Sequence, residues 1–241
     1  MKILSIGNSF SQDAQRYLQR LAKHDGVNFK TVNLYIGGCS LRTHYLNMLD
    51  DVATYDFEFN GEKTGLKVSI REALASDNWD VITLQQASGF SGVFESYSPY
   101  IEELAKYVRK YCPHSKILIH ETWAYENGSD KLKNLNLFNS SDEMLSALKI
   151  SYEKAAELIC ADGIIPCGDA MMKATKMGIE KIHRDTFHAS LALGRYAIAL
   201  VWLKALFGVS PCGNSFREFD EPLSDEDIAV VQRVVDEIQI F

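Results

Sequence analysis

Short apolar runs alternate with amphipathic stretches along this chain. "KILSI" (2–6) reads as a buried strand and gives way at once to polar "GNSFSQD". Leu18, Leu21 and Ala22 then share one face of a helical segment that ends near Gly26. "FKTVNLYI" (29–36) alternates as a strand does and runs into Gly37-Gly38. In "TYDFEFNGEKTGLKVS", Asn60-Gly61 stands between two alternating runs, the strongest short-range hairpin signal. It predicts a β-hairpin inserted near 52–69 on the flank of the sheet.

"DVITLQ" (80–85) and "KILIHE" (116–121) supply the third and fourth core strands, and "GIIPC" (163–167) a short fifth. "SPYIEELAKYVRKY" predicts a helix with Ser98 as N-cap and Pro99 at its first position, stopped by Cys112-Pro113. Ser140 and Glu143, spaced as a capping box, open a helix running to about Cys160. A long helix follows His188, and Ser224 opens the last one. About five strands joined by helical crossovers predict an α/β fold with a parallel sheet covered on both faces. No Pro/Gly/Ser-rich linker, internal repeat or low-complexity tract divides residues 1–241, so one domain is expected.

Composition narrows the function. With 46% hydrophobic residues in 241, the chain can bury a full core. A net charge of −7, with both signs scattered, argues against a nucleic-acid partner, which calls for a basic patch. The five cysteines (39, 112, 160, 167, 212) form no CxxC and read as reduced, buried thiols. No apolar stretch is long enough to span a membrane, and the amino-terminal run is too short for a signal peptide. A cytoplasmic location is therefore expected.

In a parallel sheet ligands bind at the carboxyl ends of the strands, which directs attention to the loops there. Strand one ends in Gly7-Asn8-Ser9-Phe10, where Ser9 is either a helix N-cap or a nucleophile beside free backbone N–H groups. Strand two ends in Gly37-Gly38, with neither a GxGxxG nor a Walker sequence. Strand three ends in Gln85-Gln86-Ala87-Ser88-Gly89, offering two side-chain amides. Strand four ends in "HETWAYE", where Trp123 and Tyr125 are placed to wall a sugar or acyl pocket. In "HRDTFHAS" (183–190), Asp185 and His188 are three apart, so a tight turn brings the carboxylate to imidazole Nδ1. A metal needs a third ligand at defined geometry. His183 and His188 are five apart, and His120-Glu121 joins them only by assumption. Neither a metal nor a cofactor is expected.

Strand–"GNSF"–helix, a glycine after strand two and "DTFHASLALGRYA" near the carboxyl end together resemble the SGNH (GDSL-type) hydrolase family. That family carries G-D/N-S after the first strand, a glycine in its second block, G-x-N-D in its third and D-x-x-H in its last. A small polar residue and a glycine follow, as Ser190 and Gly194 do here. The resemblance implies a flavodoxin-like, three-layer α/β/α fold, with Ser9 as nucleophile, His188 as base and Asp185 as its orienter. It implies an oxyanion hole from the Ser9 and Gly38 N–H groups. The third-block asparagine is missing, and "QQASG" stands there. Gln86, in preference to Gln85, is expected to supply the donor, one methylene further out. Asn8, Trp123 and Tyr125 are expected at the substrate. The activity implied is hydrolysis of a short acyl ester on a small-molecule or carbohydrate substrate. Lysophospholipase or thioesterase activity, a non-catalytic carbohydrate-binding protein and an anion-binding protein are the competing readings.

Overall fold

The computed structural model describes residues 1–240. Lys2–Gly7 forms β1, followed by α1 (Ser9–Gln15), α2 (Leu18–His24), β2 (Lys30–Tyr35) and α3 (Leu41–Leu49). The hairpin β3 (Tyr55–Phe59) and β4 (Glu62–Val68) leads into α4 (Ile70–Ala75), β5 (Val81–Leu84) and α5 (Tyr100–Tyr111). Then come β6 (Lys116–Glu121), α6 (Asp130–Lys133), α7 (Ser141–Ile159), β7 (Gly163–Pro166), α8 (Cys167–Lys176), α9 (Leu193–Phe207) and α10 (Asp225–Asp236).

The sheet order is β4-β3-β2-β1-β5-β6-β7. The five strands from β2 to β7 run parallel, and β3 and β4 add an antiparallel edge. This is the expected five-stranded parallel sheet with a flanking hairpin. One helical layer holds α1, α2, α8 and α10 around α9, and the other holds α3, α4, α5 and α7. Residues Tyr196–Leu203 of α9 are all buried, as an unbroken apolar helix requires. No helix among the described residues is long and apolar enough to cross a membrane. Because β1 has β2 on one side and β5 on the other, the chain reverses its direction of growth at β1. A crevice opens outside the carboxyl end of that strand.

Three local expectations shift. α5 starts at Tyr100, after Pro99, because the Ser98 hydroxyl donates to Glu102 Oε1 (3.0 Å) instead of capping a backbone N–H. Ser140 does cap Glu143 N at 3.1 Å, but the Glu143 carboxylate turns to Asn139 N, so only half a capping box forms. The expectation that all five thiols are buried holds for Cys39, Cys112 and Cys167, whereas Cys160 and Cys212 are exposed; all five are free.

The Asn60-Gly61 turn has positive φ at both residues (51° and 81°), as a type I′ turn requires. It seats the hairpin against the end of α1: a Cβ on Gly61 would lie 2.6 Å from the Gln15 carbonyl oxygen and 2.7 Å from that of Arg16. Gly61→Ala is therefore expected to lower stability by about 1–3 kcal/mol, read as a shift of the urea midpoint.

Candidate active site

Asn8, not Ser9, caps α1. Its Oδ1 accepts from Phe10 N (3.0 Å), while Ser11 Oγ accepts from Asn8 N (3.1 Å). Ser9 opens the helix with its hydroxyl free, and Ser9 Oγ lies 2.8 Å from His188 Nε2. His188 Nδ1 donates to Asp185 Oδ2 at 2.8 Å, and His188 N donates to Asp185 Oδ1 at 2.9 Å. Both carboxylate oxygens thus hold the histidine, which fixes the tautomer that leaves Nε2 as acceptor toward Ser9. Burial pushes the Asp185 carboxyl up, but the two hydrogen bonds from His188 outweigh it and bring it below its ordinary value.

The loop carrying this pair is held from several sides. Thr186 sits at φ 73°, a strained conformation for a β-branched residue, with its carbonyl accepting from Glu126 N at 2.7 Å. The Phe187 ring centroid is 3.9 Å from that of His188, and the Phe187 carbonyl accepts from Trp123 Nε1 at 2.8 Å. Ser190 Oγ accepts from Gly194 N (2.8 Å) and ties the loop to the start of α9. Opposite, Gly38 adopts φ 64°. Among the described residues no acceptor takes the N–H of Ser9 or of Gly38. Both residues line a cleft of about 490 Å³ together with His188.

The profile of a family described as a domain of unknown function, DUF4886, matches residues 2–232. The chain belongs to the DUF4886 family. The crystal structure of a DUF4886 family protein from Bacteroides uniformis ATCC 8492 is similar at 32% identity and TM-score 0.92, over 98% of this chain and 93% of that one. A proposed SGNH hydrolase from Slackia heliotrinireducens matches at 21% identity and TM-score 0.61, over 85% and 97% of the two chains. An acetyl xylan esterase matches at 16% identity and TM-score 0.56, over 86% of this chain and all of that one (100%). The DUF4886 chain thus has the SGNH hydrolase-like α/β/α fold. No curated protein matches it.

Several expected contacts fall elsewhere in this DUF4886 protein. Gln86 points away from the cleft. Its Oε1 accepts from Leu41 N and Ala87 N (2.9 Å each), and its Nε2 donates to the Ser96 carbonyl and hydroxyl (3.0 Å each). It braces loops and has no amide to offer an oxyanion, because alternate residues at the end of β5 face opposite sides. Gln85 faces β1 instead, where its Nε2 donates to Asn8 Oδ1 at 2.7 Å. Asn8 Nδ2 donates to the Cys39 carbonyl at 3.0 Å. Asn8 borders the cleft but is 1% exposed, and these bonds make it a tie between three strand ends rather than a substrate contact. Trp123 is wholly buried, stacked on Phe10 at 4.2 Å, so it supports the cleft floor and does not wall the pocket. Tyr125 does line the cleft, with its hydroxyl 2.9 Å from Ser88 Oγ.

Cleft residues that the sequence reading did not single out are Gln12, Tyr35, Phe90, Lys131, Leu135 and Arg184. Arg184 lies inside "HRDTFHAS", where its charge was the available signal; Lys131 comes with α6 and Leu135 with the turn after it, which no pattern announced. Among the described residues no three His, Cys, Asp or Glu side chains are grouped to hold a metal ion. His183 Nε2 instead donates to the Ala124 carbonyl at 3.1 Å, and burial lowers its pKa to about 4. His120 is buried beside Trp202 and lowered to about 3 by that burial.

Glu121, next to it, is buried and accepts from Gly168 N at 3.0 Å. Burial first, and Asp169 second, raise its pKa from 4.5 to about 8. A carboxyl raised on folding adds stability that is fully present below 4.5 and is lost as pH climbs through about 8. Unfolding free energy is expected to fall across that window, and Glu121→Gln to flatten the fall in urea titrations taken at a series of pH values.

Proposed function

We propose that this protein is a serine hydrolase of carboxylic esters, with Ser9 as nucleophile, His188 as general base and acid, and Asp185 as the group that orients His188. The observation that carries the reading is the continuous chain Asp185–His188–Ser9, two 2.8 Å links ending at a cleft beside two unpaired backbone N–H groups. Ser9 Oγ attacks the ester carbon as His188 Nε2 takes its proton. The tetrahedral oxyanion is held by the N–H groups of Ser9 and Gly38. His188 then passes the proton to the departing alkoxide, leaving acyl-Ser9 and a free alcohol. Water, deprotonated by the same nitrogen, attacks the acyl carbon, and the proton returns to Ser9 as the acid leaves. Asp185 stays ionised throughout.

With Gln86 turned away, two backbone donors hold the oxyanion without a side-chain amide. A missing donor costs on the order of 10²–10³ in rate, so slow turnover is expected. For the substrate, we take a short acyl group, above all acetyl, on a carbohydrate. Two of the fold relatives are named an acetyl xylan esterase and an acetyl-xylooligosaccharide esterase. The cleft lining of Phe10, Phe187 and Tyr125 suits a small acyl group.

The test is hydrolysis of p-nitrophenyl acetate and p-nitrophenyl octanoate. Ser9→Ala and His188→Ala are expected to lower kcat by about 10³-fold or more, and Asp185→Asn by about 10²–10⁴-fold, with folding intact by circular dichroism. Acetate is expected to be the better substrate. A folded wild type no faster than Ser9→Ala on both esters and on acetylated xylan overturns the proposal.

A further inference from the structure

The chain carries 32 acidic against 25 basic residues, yet among the described residues no Asp or Glu lines the cleft around Ser9. Two cations do, Arg184 of the histidine loop and Lys131 of α6.

Arg184 is held at one end only. Its Nη1 donates to both oxygens of Asp13 (2.9 Å each) and to the Ala189 carbonyl. Among the described residues Nε and Nη2 have no protein partner, and a quarter of the side chain is exposed. Those two nitrogens form the side-on edge of a guanidinium, whose parallel N–H groups match two oxygens of one carboxylate or phosphate. The one carboxylate that touches Arg184, Asp13, is shared with Arg195 Nε at 2.8 Å. Gln12 and Tyr35 border the same part of the cleft and add neutral hydrogen-bonding groups.

Lys131 comes from α6. Its Nζ lies 4.3 Å from the centroid of the Phe187 ring, the ring that packs on His188. It has no carboxylate partner, since the neighbouring Asp130 pairs with Lys133 at 3.5 Å. The guanidinium edge that the Asp13 pair leaves free, together with an ammonium that has no carboxylate partner among the described residues, attracts and orients an anion beside the reacting serine.

We propose that the ester this site cleaves is itself anionic, carrying a carboxylate or phosphate that docks on the Nε–Nη2 edge of Arg184, with Lys131 adding attraction at the mouth. This rests on the esterase reading above and names its substrate class: an acylated acidic sugar or similar hydroxy acid, in place of a neutral glycan.

The experiment compares kcat/KM for p-nitrophenyl acetate with that for its ring-carboxylated analogue, each divided by its spontaneous hydrolysis rate. Wild type is expected to prefer the anion by about 10- to 100-fold, the value of a charge-assisted hydrogen-bonded pair. Raising the salt to about 1 M is expected to erode the preference at its exposed component. Arg184→Gln is expected to bring the ratio near unity, and Lys131→Ala to lower it roughly two- to fivefold. Because the ratio compares two substrates on one preparation, it does not depend on how much of a variant is folded. Lys131 is exposed, so its variant keeps the test open if loss of the Arg184–Asp13 anchor unfolds the other.

Competition against p-nitrophenyl acetate by galacturonate or a glucose phosphate, set beside glucose, identifies the anion; equal competition by all three counts against the inference. A wild-type ratio near unity with Ser9-dependent hydrolysis of both esters overturns the inference and leaves the esterase standing. No Ser9-dependent hydrolysis of either ester overturns both.

Discussion

One face of α1 joins the two ends of this chain. Ser9 and Asp13 are four residues apart and so point the same way, one turn above the other. Ser9 meets His188, while Asp13, fully buried, is clamped by Arg184 and by Arg195 of α9. The loop that presents His188 is thus fixed by its own preceding arginine to the helix that presents Ser9. A buried carboxylate is tolerable only with such partners, and removing one partner of a buried pair typically costs about 3–5 kcal/mol. The clamp continues outward, where Asp220 bridges Arg16 and Arg195, and Arg16 also holds Glu62 of the hairpin. The hairpin is accordingly joined to the helix that carries the site, at the edge of the sheet.

A second constraint lies at the end of β1. Asn8 caps α1 with its oxygen, receives Gln85 from β5 on the same oxygen, and gives its amide to Cys39 beyond β2. Three strand ends that meet at the reversal of sheet growth are thereby joined by one buried side chain. Gln85 supports Asn8, and among the described residues its Oε1 is left buried without a partner. Ser9 and Gly38 keep their N–H groups free because Asn8 and Gly38's own backbone turn hold the two loops in place.

The electrostatics of the site follow from the same clamp. Arg184 spends one nitrogen on anchoring the histidine loop and also lines the cleft, with no partner for Nε or Nη2 among the described residues. A lysine could not anchor the loop in this way and still keep a second hydrogen-bonding edge. Phe187 has a comparable double position, against His188 on one side and under Lys131 on the other.

By itself the sequence determined what depends on local pattern. Strand runs of period two or continuous apolarity, the Asn60-Gly61 turn and the three-residue spacing of Asp185 and His188 are short-range signals, and each maps onto the observed element or pair. The apolar run of α9 likewise announces a buried helix. Only the tertiary structure decided which side of a strand end faces the cleft. It turned Gln86 away from the cleft, buried Trp123 behind Phe10, drew Asn8 into a junction, and brought in Lys131 from a four-residue helix with no pattern of its own and Leu135 from the turn that follows it. It also gave the helix cap to Asn8, freeing Ser9. Side-chain direction at a strand terminus reverses with every residue, and which direction is buried depends on partners distant in the chain, so no local pattern carries it.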